Sequence, residues 1–273
     1  MNERNYKTTS GSIHYWVNQI DPDEPGLVFL PGLTADHRLF EKQIEFFADR
    51  RNVFVWDAPG HGLSWPFTFD FDLMDLARWL HEILEREQIL RPVIIGQSMG
   101  GHLGQAFAEE YPERIKGFVA INSTPLQRQT MSSRELWMLK RMERIYRLYP
   151  WKVLLKLASR GVAVTPYGQK LMHDMMMSYA DDPARNAQVA GHGFRMLADA
   201  MEKDLPYALR CPALLICGES DSIRSIRRYN EAWHNSTRIP IHWIKNAGHN
   251  ANTDQPDIIN SLIESFIREE VEI

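Results

Sequence analysis

Cysteine is scarce in this chain: Cys211 and Cys217 are the only two in 273 residues. That excludes a disulfide-stapled scaffold. The pair flanks the apolar run Ala213-Leu214-Leu215-Ile216, and six residues apart on one strand they would stand about 20 Å from each other. No disulfide spans that gap, so both read as strand thiols buried against neighbours. Long apolar runs are missing too, none reaching the roughly 18 residues of a membrane span. The first residues, Met1-Asn2-Glu3-Arg4-Asn5, carry no apolar core of a secretory leader, so a cytoplasmic protein is expected. Charge of one sign is equally absent: the net charge is −4, and no Lys/Arg-rich arm suggests nucleic acid as a partner. No His, Cys, Asp or Glu set has metal-ligand spacing, which argues against a catalytic metal. Gly60-His61-Gly62 lacks the strand-to-helix setting of a dinucleotide loop. Repeats and low-complexity tracts do not occur, and no cofactor is expected.

What is present suits one large globular domain or a domain with an insertion: 44% of residues are hydrophobic and 24% charged. Short apolar runs alternate with longer helical patterns. The runs are Leu27–Leu30, Val53–Trp56, Val93–Ile95, Phe118–Ile121, Leu214–Cys217 and Ile241–Ile244. Continuous apolar strands of this kind suit a mostly parallel central sheet covered by helices on both faces, an α/β fold. Ahead of them, Ser10-Gly11 between two short strand patterns reads as an antiparallel hairpin at one edge.

From about Thr124 to Pro206 the pattern is helical only. We therefore expect a core formed by residues 1–123 and 207–273, with residues 124–206 inserted as a helical cap or lid. Nine of the 12 methionines fall in that insertion, where flexible thioethers would suit an adaptable apolar pocket; Met138, Met172 and Met176 are candidates to line it. The insertion also holds 13 Lys/Arg against 8 Asp/Glu, a net positive cap on a negative core. Such a face is usually just solvated, but it could meet an anionic group or an acidic carrier protein.

Reactive residue types collect where strands end. Gly96-Gln97-Ser98-Met99-Gly100 follows Pro92-Val93-Ile94-Ile95 and reads as a nucleophile elbow, a sharp strand-to-helix turn that tolerates little bulk two residues to either side of the serine. Asp221 in Gly218-Glu219-Ser220-Asp221 follows a later strand, and His249 in Gly248-His249 follows the last. In an open parallel sheet these loops lie at the ligand-binding ends of the strands. Glu219 competes with Asp221 as the acid, and Asp221 is preferred. His61 reads as a turn residue that could instead line the site, and His102, one helical turn past Ser98, as packed beneath the elbow. Asn122-Ser123-Thr124 and Asn235-Ser236-Thr237 match glycosylation sequons, which carry meaning only in a secreted protein.

On these motifs, and on Asp57-Ala58-Pro59-Gly60-His61-Gly62-Leu63-Ser64, the chain resembles capped members of the α/β-hydrolase superfamily over nearly its whole length. Asp254-Gln255-Pro256 is similar to the step that opens the last helix of the superfamily. The resemblance implies Ser98 as nucleophile, His249 as its base and Asp221 as the acid orienting the imidazole. The backbone N–H of Met99, opening the next helix, and that of Leu33, after Leu30-Pro31-Gly32, are the expected oxyanion donors. Many relatives carry histidine where Pro31 stands. The implied activity is hydrolysis of a small-molecule carboxylic ester, or a thioester, of a small-to-medium apolar acyl group through an acyl-enzyme. A C–C bond hydrolase of a vinylogous diketone acid is the alternative, and a ligand receptor without turnover is a third.

Overall fold

The computed structural model describes residues 1–21 and 24–272 of the chain. Eight strands form one sheet: β1 (Asn2–Lys7), β2 (Ser12–Asn18), β3 (Leu27–Leu30), β4 (Val53–Trp56), β5 (Val93–Gln97), β6 (Gly117–Ile121), β7 (Ala213–Gly218) and β8 (Ile241–Ile244). Their order across the sheet is β1-β2-β4-β3-β5-β6-β7-β8. The β1–β2 hairpin and the β2–β4 pairing are antiparallel, and every pairing from β4 to β8 is parallel. Helices are α1 (Glu41–Phe47), α2 (Leu73–Arg86), α3 (Met99–Glu110), α4 (Ser133–Leu139), α5 (Met142–Leu148), α6 (Trp151–Gly161), α7 (Pro166–Met176), α8 (Pro183–Glu202), α9 (Arg224–Thr237), α10 (Ala251–Asp254) and α11 (Pro256–Phe266).

The continuous apolar strands follow from a sheet that is covered twice. Successive side chains leave a strand on opposite faces, so Val28, Ile94, Phe118 and Ala120 join one core with Leu76 and Leu80 of α2 and Leu103 and Phe107 of α3. Leu27, Phe29, Val93, Ile95 and Val119 join the other with Phe47 of α1 and Ile259 and Ile263 of α11. A polar residue at any of these positions would sit unpaired in apolar surroundings, at a cost of a few kcal/mol.

Between β6 and β7 the described residues form helices α4 to α8 and no strand. Helix α8 packs against α4 and α5, α6 packs against α7, and α8 also reaches α2 and α3 on the sheet. The strand β7 starts at Ala213, so Cys211 lies ahead of it and is half-buried rather than a strand thiol. Buried Cys217 does lie in β7. Burial raises both thiols, to about 11 and about 12, which leaves them poor nucleophiles. Among the described residues no helix is long and apolar enough to cross a membrane.

Candidate active site

Ser98 sits between β5 and α3 with φ 50° and ψ −115°, a left-handed conformation that costs an L-residue about 1–3 kcal/mol unless its surroundings enforce it. Here the turn is enforced by proximity. A Cβ on Gly96 would overlap the Gly100 carbonyl, and one on Gly100 would overlap the Leu30 carbonyl. The backbone is then pinned: the Ser98 N–H donates to Ile121 O at 2.9 Å, and Ser123 Oγ donates to Ser98 O at 2.8 Å.

Ser98 Oγ lies 3.0 Å from His249 Nε2, and His249 Nδ1 lies 2.9 Å from Asp221 Oδ2. Residues 151 and 28 apart in sequence thus form one hydrogen-bonded chain. Asp221 Oδ2 also accepts from Asn122 Nδ2 at 2.8 Å, and Oδ1 from the Ile223 N–H at 2.9 Å. Burial opposes ionisation of Asp221, but the His249 hydrogen bond and charge, the Ile223 N–H and Asn122 outweigh it, so its pKa is lowered. Glu219 is exposed, and the partner of His249 is Asp221.

The two residues expected to supply backbone donors, Leu33 and Met99, line the same cavity as Ser98. Met99 is the first residue of α3 and stands before the i→i−4 ladder begins, leaving its N–H directed out of the helix start. Gly32 brings the Leu33 backbone close, because a Cβ there would overlap Gln97 Oε1 and lie 3.2 Å from Ser98 Cβ. Pro31, lacking an N–H, takes nothing from this arrangement.

A cavity of about 180 Å³ opens above Ser98 and His249, walled by Leu33, Met99, Met172, Phe194 and Leu197. A second cavity of about 310 Å³ lies beside it, with Thr34, Tyr146, Ala158 and Val162 lining both. Met172 lines the first and Met176 the second. Met138 lines neither: it is 48% exposed, because α4 buries Leu136 and turns Met138 away, which corrects its assignment to the pocket. Neither lining holds a Lys, Arg, Asp or Glu side chain. His102 lines the first cavity beside Thr124 Oγ1, 2.9 Å from its Nε2. Burial and the charge of His249 push its imidazole down to about 3, so it stays neutral.

Several residues of this site give no signal in the sequence. Gln97 Nε2 donates to His249 O at 3.0 Å and ties the serine turn to the histidine loop. The apparent sequon at residues 122–124 is buried and structural: Asn122 holds Asp221, Ser123 holds Ser98, and Thr124 faces His102. Asp254, at the end of α10, accepts from the Gly248 N–H at 2.8 Å and from the Thr165 N–H at 2.8 Å, joining the histidine loop to the start of α7. A residue just past a strand that reaches 99 positions along the chain, as Asn122 does, leaves no local pattern to read.

Asp57 in the glycine loop acts as a brace. Its Oδ1 accepts from the His37 N–H at 2.8 Å and its Oδ2 from the Leu63 N–H at 2.7 Å. His61 is buried with Nδ1 3.1 Å from Pro59 O and lines neither cavity. Asp36, His37 and Asp57 converge with one ligand atom each within 4.8 Å, a juxtaposition that sequence spacing hid. Their capacity is already used: Arg38 clamps both oxygens of Asp36 at 2.9 and 2.6 Å, and His37 Nδ1 lies 2.9 Å from Asp57 Oδ1. This trio therefore offers a divalent ion few free lone pairs.

Residues 25–256 match the family model described as alpha/beta hydrolase fold. The 3-oxoadipate enol-lactonase 2 of Acinetobacter baylyi is 22% identical over 247 residues, covering 90% of each chain. The 2-hydroxy-6-oxononadienedioate/2-hydroxy-6-oxononatrienedioate hydrolase of Burkholderia vietnamiensis is 26% identical, over 94% of this chain and 91% of the other. Among solved structures, a thermophilic esterase from Thermogutta terrifontis, with malate bound, superposes with a TM-score of 0.81 at 22% identity, over 98% of this chain and 99% of that one. At that identity the superposition speaks for the fold.

Proposed function

This chain belongs to the alpha/beta hydrolase fold family, and from that premise we propose that it is a serine hydrolase of neutral carboxylic esters, working through an acyl-enzyme. The observation that carries the reading is the Ser98–His249–Asp221 hydrogen-bonded chain at the base of an apolar cavity. An unassisted serine hydroxyl is a weak nucleophile. His249 Nε2 takes the Ser98 proton as Oγ attacks the ester carbonyl, and Asp221 holds the imidazole by Nδ1–H and stabilises its charged form. The oxyanion that develops is met by the N–H groups of Leu33 and Met99. His249 returns the proton to the departing alkoxide, and the same base then activates water against the acyl-enzyme.

The cap, residues 124–206, selects the acyl group. Leu197 and Phe194 of α8 and Met172 of α7 roof the cavity, and with no cation among the lining residues a carboxylate on the substrate would be desolvated without a partner. That favours a neutral ester, or a thioester of the same shape, over the diketone acid of a C–C hydrolase. The expected location is the cytoplasm, and the reaction needs no cofactor.

The test is a series of p-nitrophenyl esters from acetate to octanoate, run beside a vinylogous diketone acid. The expected outcome is ester turnover that Ser98→Ala lowers by about 10⁶-fold, with negligible cleavage of the acid. Wild-type rates in Ser98→Ala, or preference for the acid, would overturn the reading.

A further inference from the structure

Helices α5 and α6 present a face that the hydrolytic reading does not use. Leu148, at the end of α5, is 82% exposed, and Tyr149, Val153 and Leu157 are exposed beside it. Pro150 opens α6 at once, accepting from the Val153 N–H at 2.9 Å, so the end of α5 and the first turn of α6 are neighbours. On α6 the burial pattern leaves Lys152, Val153, Lys156, Leu157 and Arg160 outward while Leu154 and Ser159 pack inward. An apolar pair four residues apart thus runs along the helix beside a row of three cations spaced four apart. Residues 142–161 hold five Lys/Arg and one acid, Glu143. Glu143 is engaged by Arg147 at 2.9 Å. Among the described residues, Arg144, Lys152, Lys156 and Arg160 have no carboxylate within salt-bridge distance, although paired cations are common elsewhere on the chain.

Ordinary solvated helices do not lay Leu and Val outward at the tip of a cationic hairpin; scattered single apolar residues need no explanation, but a contiguous set does. The patch is also continuous with the interior. Tyr149 and Leu157 line the second cavity, which shares lining residues with the one above Ser98. We infer that the α5–α6 face docks this protein on an anionic lipid surface, with Leu148, Tyr149, Val153 and Leu157 entering the interface and the unpaired cations meeting lipid phosphates. The charge pattern is that of an interfacial amphipathic segment: a row of cations beside an apolar stripe, with tyrosine suited to the headgroup level. An acidic protein would pair with the cations but would leave Leu148 without an apolar partner. Entry of substrate from the lipid through the second cavity rests on the ester-hydrolase reading; the docking itself does not.

The full chain is sedimented with vesicles of phosphatidylcholine alone and of phosphatidylcholine with phosphatidylglycerol. Binding is expected on the anionic vesicles, weakening as salt rises. Lys152→Glu with Lys156→Glu is expected to lower partitioning roughly tenfold or more. Leu148→Ser, which removes the apolar side chain without adding charge, is expected to lower it while leaving the salt dependence in place. Both variants line neither cavity and should hydrolyse a soluble p-nitrophenyl ester like the parent, which shows them folded. No binding, equal binding to both vesicle types, or binding unmoved by either variant would overturn the inference. Capture of an acidic protein without vesicle binding would overturn it as well. Ser98→Ala should bind vesicles like the parent, so loss of hydrolysis and loss of docking are read separately.

Discussion

The two sides of the cavity are built from different materials. Its floor is made of loops at the carboxyl ends of β3, β5, β6, β7 and β8, and there a network of hydrogen bonds through Ile121 O, Ser123, Gln97, Asn122 and the Ile223 N–H holds Ser98, His249 and Asp221. Its roof, from α5 to α8, contributes Tyr146, Ala158, Met172, Phe194 and Leu197, apolar contacts with hardly a hydrogen bond among them. The difference is one of tolerance. A directional network fails when an atom moves by half an ångström, whereas an apolar wall repacks around a change of shape at a modest cost. In the proposed reaction, reactivity is concentrated in the floor and selection is left to the roof.

Changes in the floor should therefore slow every ester alike, and changes in the roof should alter ratios between esters. The largest expected effect is in the floor. Asp221→Asn keeps the shape but presents the wrong hydrogen-bond polarity to His249, and kcat should fall by about 10⁴ for short and long esters equally. A loss confined to one chain length would break the division. In the roof, Phe194→Ala opens room beside Leu197 and should shift kcat/KM toward hexanoate over acetate by roughly tenfold, with kcat for acetate nearly kept. A uniform fall across the ester series would instead assign Phe194 to the reactive side.

The smallest effect concerns stability and touches one histidine on each side. Burial holds His102 of the floor neutral down to about 3. His192 of α8, packed against Phe69 and Phe71, is held neutral down to about 4 by burial and the nearby Arg195 charge. In the unfolded chain each takes a proton near pH 6.5. Below that value the unfolded state binds more protons than the fold, so stability is complete above about 6.5 and is lost as pH falls toward 4 and 3. The slope contributed is at most about 1.4 kcal/mol per pH unit for each histidine. Urea titrations at pH 7, 6 and 5 should show His192→Gln with a shallower decline than the parent; parallel declines would place the acid sensitivity elsewhere.

The six strands β3 to β8 were legible because a doubly covered parallel sheet writes continuous apolar runs, and the elbow was legible because its glycines lie within two residues of Ser98. The roof was not. Met138 looked as suitable as Met172, since composition says that a segment is methionine-rich but not which way a helix turns its side chains. The sequon pattern at residues 122–124 gave no hint of their structural role for a related reason: a three-residue pattern takes no account of burial, and all three residues are buried.

The amino-acid sequence by itself determined the order of strands and helices, the reactive residues at strand ends and the length of the insertion. These depend on neighbours a few positions apart, where periodicity and backbone sterics act. Tertiary structure alone decided that Asn122 and Gln97 hold the floor together, and that residues from strand-end loops and cap helices meet around a cavity lined by no Lys, Arg, Asp or Glu. Each of these joins segments tens to more than a hundred residues apart, and such contacts are fixed by how helices pack on the sheet, a property no local stretch of chain carries.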